Sequence, residues 1–576
     1  MTRRSAPDFA GRSWLVMAML VLLFAALAGR VLILQVLDTD RGAEFLRKQG
    51  AMRMVRTAEL PAYRGLITDR RGESLAISTP VISLWANPPR LAASDRLAEL
   101  ASALDEEEAV IRERLGRYAG KQFMYLRRHL QPDHARRVLA LNIPGVRAQR
   151  EYRRFYPTGE VAAQLVGITN VDGRGVSGLE LAYDDWLRGQ PGRKRYIKDL
   201  RGDAVRDIGV VEEARPGRKL RLSIDLRLQY LQHRELLRAV KLTGAEAGVI
   251  VTLDSHSGEV LASVSYPDFN PNNRSAVSMG EMRNRVLTDV FEPGSTMKPL
   301  TLVAALESGR YTPDTIIDTN PGRIRVGRKV LPDPRNYGEI TLSRVVEKSS
   351  QVGVTKVALD LGHEPIWDVF QRFGLGEPTA TGFPGESSGL LPQRPRWREI
   401  EKVTLAFGYG LTATPLQLAR AYAVFANGGY LPELSLLHRE ASPEFQRVIS
   451  DATARQVRGV LAAVTGENGT AGRARIPGYT VGGKTGTVHK VGSGGYLDDQ
   501  YVALFAGLAP ADDPRFVTVV VLDRPKGDDY GGGAAAAPVF ARVAGETLRL
   551  LGVPPQQGGS GTRADLVAAL DAGAER

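Results

Sequence analysis

The stretch that decides the fold is Phe291-Glu292-Pro293-Gly294-Ser295-Thr296-Met297-Lys298, which is followed by the apolar run Leu300-Thr301-Leu302-Val303-Ala304-Ala305-Leu306. The Pro-Gly pair predicts a turn, and the apolar run predicts a buried helix that ends near Gly309. Ser295 and Lys298 lie in the first turn of this helix, so their side chains share a face. The stretch therefore predicts a nucleophilic hydroxyl beside an amine that can act as its base.

Two more strings follow in order, Ser349-Ser350-Gln351 and then Lys484-Thr485-Gly486. S-x-x-K alone arises by chance about once or twice in a chain of this length, and K-T-G about one time in ten. Together and in this order they match a serine acyl-transfer signature, except that Gln351 stands where asparagine is usual. The predicted catalytic residues are Ser295, Lys298, Ser349 and Lys484.

Each string also has a plain structural interpretation when it is taken singly. Lys298 would be a solvated charge, Ser349-Ser350 a helix cap, and Gly482-Gly483 a simple bend. The order and the combination of the strings favour the functional interpretation.

The third string lies in a strand-like run from Tyr479 to Val488. Alternation places Lys484 and Gly486 on one face, where Gly486 leaves room for an extended substrate backbone. Thr485 and Thr487 then point the other way, so their use in the site requires local twist or a bulge. Lys484 and Thr485 are expected to hold a substrate carboxylate, and N–H groups of Ser295 and near Thr487 to form an oxyanion hole. The predicted substrate-binding residues are Gln351, Thr485, Gly486 and Thr487.

A serine hydroxyl is a weak nucleophile until a base takes its proton, and lysines stand here where histidine is often used. Burial and the like charge of a second amine both lower the pKa of a lysine. We therefore expect one of Lys298 and Lys484 to be neutral and the other cationic.

The three strings resemble those of class B penicillin-binding proteins of the cell-division type, which are peptidoglycan transpeptidases. The resemblance extends over nearly the whole chain, and further matching stretches lie at residues 64–76, 153–157, 175–180, 407–418, 469–471 and 536–540. It implies an α+β fold, in which an antiparallel sheet flanked by helices stands on an elongated N-terminal pedestal with one transmembrane helix.

The resemblance also implies a reaction. Ser295 attacks the carbonyl between the two terminal D-alanines of a stem peptide, and Lys298 is its base. Ser349 relays a proton to the departing D-alanine, Lys484 supplies positive charge, and an amine of a second stem peptide completes the crosslink. Beta-lactams mimic the first step. The implied partners are a membrane glycan polymerase and other division proteins, and the main septal enzyme and a variant paralogue both remain open.

Two positions depart from the family pattern. Gln351 carries its amide one methylene further out than the family's asparagine, which is expected to bridge the lysine and the amide of the bound acyl group. A misplacement of about 1 Å can cost roughly a hundredfold in rate. Gln164 stands where related sequences usually have histidine.

Composition excludes several other classes. The 576 residues are 43% apolar and suggest more than one folded unit. The net charge of +12 comes from 76 basic and 64 acidic residues without a long basic run, which argues against a nucleic-acid partner. Because the chain has no cysteine and its seven histidines lack metal-ligand spacing, we expect no disulfide, no metal and no cofactor.

The N-terminus predicts a single membrane anchor at residues 14–37, with Arg30 reaching toward an interface. Basic residues before it predict a cytoplasmic segment at 1–13 and export of the rest. The resemblance then implies a single-pass protein of the inner membrane with its catalytic domain in the periplasm. The alternative is a cleaved signal peptide, since Ala26-Leu27-Ala28 fits a cleavage site after Ala28.

The predicted pedestal covers residues 40–217 and ends at the turn 214–217, and the predicted transpeptidase domain covers 218–552 before a flexible tail at 553–576. Leu220–Asp225 alternates like a strand, and Gly248–Leu253 and Val517–Leu522 suit central strands of the sheet that carries Lys484.

Two alternative functions remain at this point. The first is a beta-lactam hydrolase or sensor with the same nucleophile. The second is a catalytically impaired division scaffold, in which Gln351 marks a decayed site.

Overall fold

The computed structural model describes residues 10–35, 55–198, 204–275, 277–441, 443–492 and 495–556. These residues form two compact units. The first takes in the described residues of Met1–Tyr63 and Gly189–Pro216, and the second those of Arg64–Arg188 and Gly217–Arg576. One boundary therefore falls inside the predicted turn at 214–217, while residues 64–188 pack in the same unit as the predicted transpeptidase domain. The predicted tail lies outside the described residues beyond Gln556.

The strands are numbered in chain order. They are β1 Val55–Leu60, β2 Ile67–Thr68, β3 Ser74–Ala86, β4 Met124–Leu130, β5 Val146–Phe155, β6 Gly192–Lys198, β7 Ala204–Glu212, β8 Leu220–Arg221, β9 Ala247–Asp254, β10 Val260–Tyr266, β11 Ile316–Asp318, β12 Arg323–Val326, β13 Lys329–Pro332, β14 Glu339–Thr341, β15 Tyr430–Leu431, β16 Gln446–Arg447, β17 Gly482–Gly492, β18 Gly495–Ala509 and β19 Phe516–Asp523.

The α-helices are numbered in the same way. They are α1 Ala10–Gln35, α2 Pro88–Ala92, α3 Leu97–Ala103, α4 Glu108–Arg117, α5 Pro132–Ala140, α6 Ala163–Val166, α7 Gly178–Ala182, α8 Asp184–Leu187, α9 Leu226–Thr243, α10 Arg285–Thr288, α11 Lys298–Glu307, α12 Leu342–Glu347, α13 Gln351–Leu361, α14 Glu364–Arg372, α15 Glu399–Leu405, α16 Pro415–Ala426, α17 Asp451–Thr465, α18 Gly532–Ala535 and α19 Ala537–Leu550.

The second unit is built around a five-stranded sheet in the order β10-β9-β19-β18-β17, and every neighbouring pair is antiparallel. The predicted central strands lie in β9 and β19, which pair with each other in the interior of the sheet. Lys484 lies in β17 at the sheet edge. The predicted antiparallel sheet is confirmed.

Helices cover both faces of this sheet because its strands are apolar on both sides. On one face Ile250 and Phe505 pack with Phe540 of α19, and the rings of Phe505 and Phe540 are 4.7 Å apart between centroids. On the other face Leu504 and Val519 belong to the larger core, which includes α11 and α16. The predicted α+β class is therefore confirmed.

The N-terminal helix α1 has 26 residues, and an 18-residue window of its apolar segment Gly11–Leu34 has a mean hydropathy of 2.5 with none of it buried. Twenty-four residues at about 1.5 Å each cover about 36 Å, which exceeds a hydrocarbon core of about 30 Å. Among the residues that the structure describes, it is the one helix long and apolar enough to cross a bilayer. The predicted apolar N-terminal helix is present as a candidate membrane span, and it begins before residue 14.

The strand prediction for Leu220–Asp225 is wrong beyond Arg221. Only Leu220–Arg221 forms a strand, and it pairs in parallel with β2. Asp225 is instead the N-cap of α9, where its carboxylate accepts from the N–H of Arg227 at 3.0 Å. The alternation arises because Leu222 and Ile224 are both fully buried in an extended segment that precedes a helix.

Residues 64–188 are joined to the sheet by buried amide side chains. Gln229 of α9 donates to the carbonyl oxygens of Val161 at 2.8 Å and Ser263 at 2.7 Å. Gln164 of α6 is buried and donates to the carbonyl oxygen of Pro267 at 2.9 Å. These bonds connect the N-terminal part of the second unit to β10 and the segment after it.

Candidate active site

Ser295 lies in a short 3-10 helix, Gly294–Met297, that leads directly into α11. Gly294 has a φ of +54°, and a Cβ there would lie 2.4 Å from Cγ1 of Val488, so this position requires glycine. The buried Tyr422 donates its hydroxyl to the carbonyl oxygen of Thr296 at 2.8 Å. The predicted buried helix is present, but its first turn is tighter than an α-helix.

The second string forms the turn before α13. Ser349 has a φ of +57°, a left-handed conformation that is uncommon for a residue with a side chain and is typical of functional sites. Ser350 is the N-cap of α13, and its hydroxyl accepts from the N–H of Gly353 at 2.9 Å. The two serines therefore divide the roles, because Ser350 caps the helix and Ser349 is free to face the lysines.

The hydroxyl of Ser349 is the point where both lysines meet. Lys298 Nζ donates to Ser349 Oγ at 3.1 Å and to the Ser349 carbonyl oxygen at 2.6 Å. Lys484 Nζ donates to the same Oγ at 3.0 Å. The fold thus brings three of the four predicted catalytic residues into one hydrogen-bonded cluster.

Ser295 is adjacent to this cluster in the chain but is not bonded to it. Its side chain is half-buried, and its hydroxyl forms no hydrogen bond with any residue in the described ranges. Lys298 follows it directly after the 3-10 turn and directs its amine to Ser349. The hydroxyl of Ser295 is therefore not committed to a structural contact.

Both amines are almost fully withdrawn from water, with relative exposures of 2% for Lys298 and 0% for Lys484. Burial lowers the pKa of Lys298 to about 7, and the charge of Asp333 opposes this shift. Burial and then the charge of Lys298 lower the pKa of Lys484 well below its usual value. Because two ammonium groups on one buried hydroxyl repel each other, the pair favours the state in which one amine is neutral. The cluster thus contains a base.

Strand β17 presents the third string without a local irregularity. Its register with β18 is regular from Gly482 to His489. Thr485 Oγ1 accepts from Lys484 Nζ at 3.4 Å, so this hydroxyl reaches the cluster without a bulge. Thr487 Oγ1 instead accepts from the N–H of Gly532 at 2.9 Å.

Gly486 is required by packing. A Cβ there would lie 2.7 Å from Cγ of Leu504 on the neighbouring strand, and a Cβ on Gly532 would lie 2.3 Å from the Gly486 carbonyl oxygen. Two chain segments therefore approach Gly486 closely. Its role in binding an extended substrate stays a prediction, as do the substrate roles of Gln351, Thr485 and Thr487.

Asp333 belongs to the site and was missed by the sequence reasoning. It is 8% exposed, and its Oδ2 accepts from Ser350 Oγ at 2.6 Å. Its Oδ1 accepts from the N–H groups of Gln351 at 2.5 Å and Val352 at 3.1 Å. A carboxylate is stabilised at a helix N-terminus, so Asp333 fixes the turn that presents Ser349. The chain offers no motif for it, only an aspartate between two prolines.

Gln351 begins α13, and its backbone N–H donates to Asp333 Oδ1. Its side chain is half-buried, and within the described ranges its amide forms no hydrogen bond with either lysine. The Gln351 amide therefore makes no contact with either lysine in this structure, and its role in holding the acyl group stays a prediction.

Glu292 is a second residue that the sequence reasoning left out. Its Oε1 accepts from the N–H of Gly410 at 2.8 Å and from the hydroxyl of Tyr496 at 3.2 Å. Burial raises the pKa of Glu292, against the effect of the Gly410 N–H. Glu292 is not part of a metal site, since the described residues contain no group of three or more His, Asp or Glu side chains that could hold a metal ion.

Comparison with known families agrees with this geometry. Residues 248–545 match the penicillin binding protein transpeptidase domain, and residues 59–222 match the penicillin-binding protein dimerisation domain. The first match contains all four predicted catalytic residues and the whole five-stranded sheet except the start of β9. The second contains Gln164.

Relatives match over nearly their full length. A probable peptidoglycan D,D-transpeptidase of Pseudomonas aeruginosa is 41% identical over 542 residues, which cover 94% of this chain and 95% of the relative. The peptidoglycan D,D-transpeptidase FtsI of Escherichia coli is 41% identical over 554 residues, covering 95% and 93%.

Solved structures share the fold. A peptidoglycan synthetase from Bifidobacterium adolescentis has a TM-score of 0.70 at 25% identity and covers 88% of this chain and 98% of its own. Penicillin binding protein 3 from Mycobacterium tuberculosis, complexed with aztreonam, has a TM-score of 0.67 at 29% identity, covering 87% and 99%. With its membrane anchor, its two matching domains and its buried serine-lysine site, the chain belongs to the class B penicillin-binding proteins, the serine transpeptidases of peptidoglycan.

Proposed function

We propose that this protein crosslinks peptidoglycan stem peptides by D-alanyl-D-alanine transpeptidation during septal wall synthesis, and that beta-lactams acylate it at Ser295. One observation carries the proposal. The side chains of Lys298, Ser349 and Lys484 form a buried hydrogen-bonded cluster, and Ser295, which precedes Lys298 in the same turn, has a hydroxyl without a hydrogen-bond partner among the described residues. Relatives named peptidoglycan D,D-transpeptidases match more than nine tenths of the chain, which supports a transpeptidase over a hydrolase.

The proposed reaction has two halves. Ser295 Oγ loses its proton to the neutral amine of Lys298 and bonds to the carbonyl carbon between the two D-alanines. The C–N bond then breaks, Ser349 passes its hydroxyl proton to the departing amine of D-alanine, and Lys298 passes the proton taken from Ser295 to Ser349 Oγ, with which its amine is hydrogen-bonded. In the second half an amine of another stem peptide attacks the acyl-serine, which forms the new amide and returns the proton to Ser295 Oγ. When the proton shared by the two lysines lies on Lys484, this amine supplies positive charge to the substrate carboxylate in both halves, and the negative charge of that carboxylate favours the protonated form of Lys484.

The experiment is acylation of the full-length protein in detergent by a fluorescent penicillin, with release followed over time. We expect a stable covalent label in the wild type and none in Ser295→Ala. Rapid loss of the label from the wild type would favour the hydrolase. Absence of any label would favour the impaired scaffold, and undiminished labelling of Ser295→Ala would refute the nucleophile.

We also propose that residues after the anchor face the periplasm from the inner membrane, and that a membrane glycan polymerase and other division proteins are partners. The basic residues Arg3, Arg4 and Arg12 before most of the apolar segment support this orientation. Protease added to spheroplasts should digest the catalytic domain. Protection of that domain until the membrane is lysed would contradict the orientation.

A further inference from the structure

Lys348 lies at the C-cap of α12, immediately before Ser349 with its left-handed backbone. Its side chain is 12% exposed, so the amine is largely withdrawn from water. Nζ donates to the carbonyl oxygen of Asn468 and pairs with the carboxylate of Glu347 at 3.0 Å. A third lysine thus belongs to the turn that presents Ser349, and no step of the proposed reaction uses it.

The acceptor of this bond, the carbonyl oxygen of Asn468, belongs to the loop 466–471 that follows α17. The loop folds back on the end of that helix, since the N–H of Ala471 donates to the carbonyl oxygen of Val464 at 3.0 Å. A Cβ on Gly469 would lie 1.9 Å from the same oxygen, so the loop approaches the helix as closely as only glycine allows. The loop therefore offers the lysine amine a fixed acceptor.

The same loop contacts both sides of the serine-lysine cluster. Thr470 Oγ1 donates to the carbonyl oxygen of Glu347 at 3.4 Å, which is a second bond to the end of α12. On the other side, a Cβ on Gly533 of α18 would lie 2.8 Å from the Thr470 carbonyl oxygen and 3.6 Å from Cγ2 of Thr485. The loop thus lies between the turn before α13 and strand β17, and these two elements supply the hydroxyl and one amine of the cluster.

The backbone of Ser349 needs such support, because a left-handed conformation at a residue with a side chain is strained and persists only where its surroundings hold it. Asp333 holds the residues after it, through Ser350 Oγ and the N–H of Gln351. Lys348 is the residue before it, and its amine makes a charge-assisted hydrogen bond, the stronger kind. The turn is therefore fixed from both ends.

We propose that Lys348 is a positioning residue for acyl transfer, which acts through Ser349 and does not touch the substrate. Its bond to the loop 466–471 keeps Ser349 Oγ within reach of both amines and of the nitrogen that departs. The inference rests on the proposed acylation of Ser295. Loss of the bond lets the hydroxyl shift, and a misplacement of about 1 Å can cost roughly a hundredfold in rate.

The test is the acylation of the full-length protein in detergent by a fluorescent penicillin, at concentrations that separate reversible binding from the rate constant of acylation. Lys348→Met keeps most of the length of the side chain and removes the donor. We expect a rate constant roughly ten to a hundred times lower, unchanged reversible binding, and the same labelled fraction at completion as the wild type.

Two further variants distinguish the bond to the loop from a general effect of charge. Lys356→Met is the matched control, because Lys356 of α13 also donates to a backbone carbonyl oxygen, that of Asp318, but on β11 outside the cluster. It should acylate at the wild-type rate. Lys348→Met combined with Glu347→Gln removes both charges of the ion pair and should be as slow as Lys348→Met alone, since the bond to the loop is absent from both.

The inference is overturned by a wild-type rate constant in Lys348→Met, by recovery of the rate in the double variant, or by equal slowing in Lys356→Met. Weaker reversible binding at an unchanged rate constant would mean that the amine binds the ligand. A smaller labelled fraction at the wild-type rate would mean a folding defect, and either result overturns the inference while the proposed function stands. If the wild type takes no label, the proposed function fails and the inference fails with it.

Discussion

Ser349 Oγ accepts hydrogen bonds from two amines that are both nearly inaccessible to water. A buried ammonium without a carboxylate in contact is costly, and the cost falls when the amine gives up its proton. Asp333 works against this effect at Lys298, since its negative charge favours the protonated amine. The pKa of Lys298 is thus set by two opposing effects, burial, which lowers it, and the charge of Asp333, which raises it.

Asp333→Asn should shift the pH dependence of acylation to lower pH. Removing the carboxylate removes the charge that raises the pKa of Lys298, so this pKa falls below about 7 and the neutral amine persists at lower pH. The measurement is the second-order rate of penicillin acylation between acid and alkaline pH. Asp318→Asn, at an exposed carboxylate on β11, is the control and should leave the profile in place. A shift of the profile to higher pH would contradict this account of Lys298.

Gln351→Asn should change beta-lactam acylation without changing the fold. The shorter side chain places the amide about one methylene closer to the backbone, where the family's asparagine stands. We expect acylation to become roughly ten to a hundred times faster for at least some beta-lactams, because about 1 Å of misplacement has an effect of that size. Gln371→Asn, on the exposed face of α14, is a matched control. Identical rates for wild type and Gln351→Asn across several beta-lactams would rule out a role for the extra methylene.

At the scale of elements, the 3-10 turn of Ser295 is held between Val488 of β17 and Tyr422 of α16. Gly294→Ala should slow acylation and lower stability for two separable reasons. The left-handed backbone costs about 1–2 kcal/mol for alanine, and the new Cβ meets Val488 Cγ1 at 2.4 Å. Adding Val488→Ala removes Cγ1 and leaves Cβ at 3.8 Å, which is an ordinary contact.

Melting temperatures and acylation rates of Gly294→Ala, Val488→Ala and the double variant separate the two reasons. The double variant should recover part of the loss, since the clash is relieved and the backbone strain remains. If Gly294→Ala is as stable as the wild type, the turn is less constrained than its contacts indicate.

The local sequence predicts the helices and strands of this site better than it predicts the contacts between them. The buried helix of Lys298 could be predicted from a continuous apolar run, and the strand of Lys484 from a strand-like run with a period of two. Asp333 could not, because its contacts with Ser350 and Gln351 arise only when a loop folds back on α13. At Asp225 the alternating pattern was misleading. The N-cap of a helix has an extended backbone, so the residues that lead into a helix can show the same alternation as a strand.

At the scale of the whole molecule, residues 64–188 and the catalytic domain share one compact unit, although they match two different family domains. Within residues 64–188, Arg64 and Arg154 both pair with Glu180 at 2.6 Å, and all three side chains are buried. Removing one partner of a buried ion pair leaves the others uncompensated, which typically costs about 3–5 kcal/mol.

Glu180→Gln should therefore lower the urea midpoint of the protein clearly, because the buried guanidinium of Arg154 loses its counter-charge and that of Arg64 keeps only Asp184, at 2.7 Å. Asp185→Asn is the control, since Asp185 is 99% exposed where it pairs with Arg188 and should change nothing measurable. An unchanged midpoint in Glu180→Gln would mean that the arginines find other partners.

The meeting of both lysines on Ser349 joins parts of the chain that are 51 and 135 residues apart. A hydroxyl oxygen has two lone pairs and one hydrogen. When both amines donate, both lone pairs of this oxygen are occupied and its hydrogen is left for a third partner, whereas a neutral amine accepts that hydrogen through its own lone pair. The folded chain thus holds Ser349 Oγ where a proton can pass either to a lysine or to a group that arrives from outside the cluster.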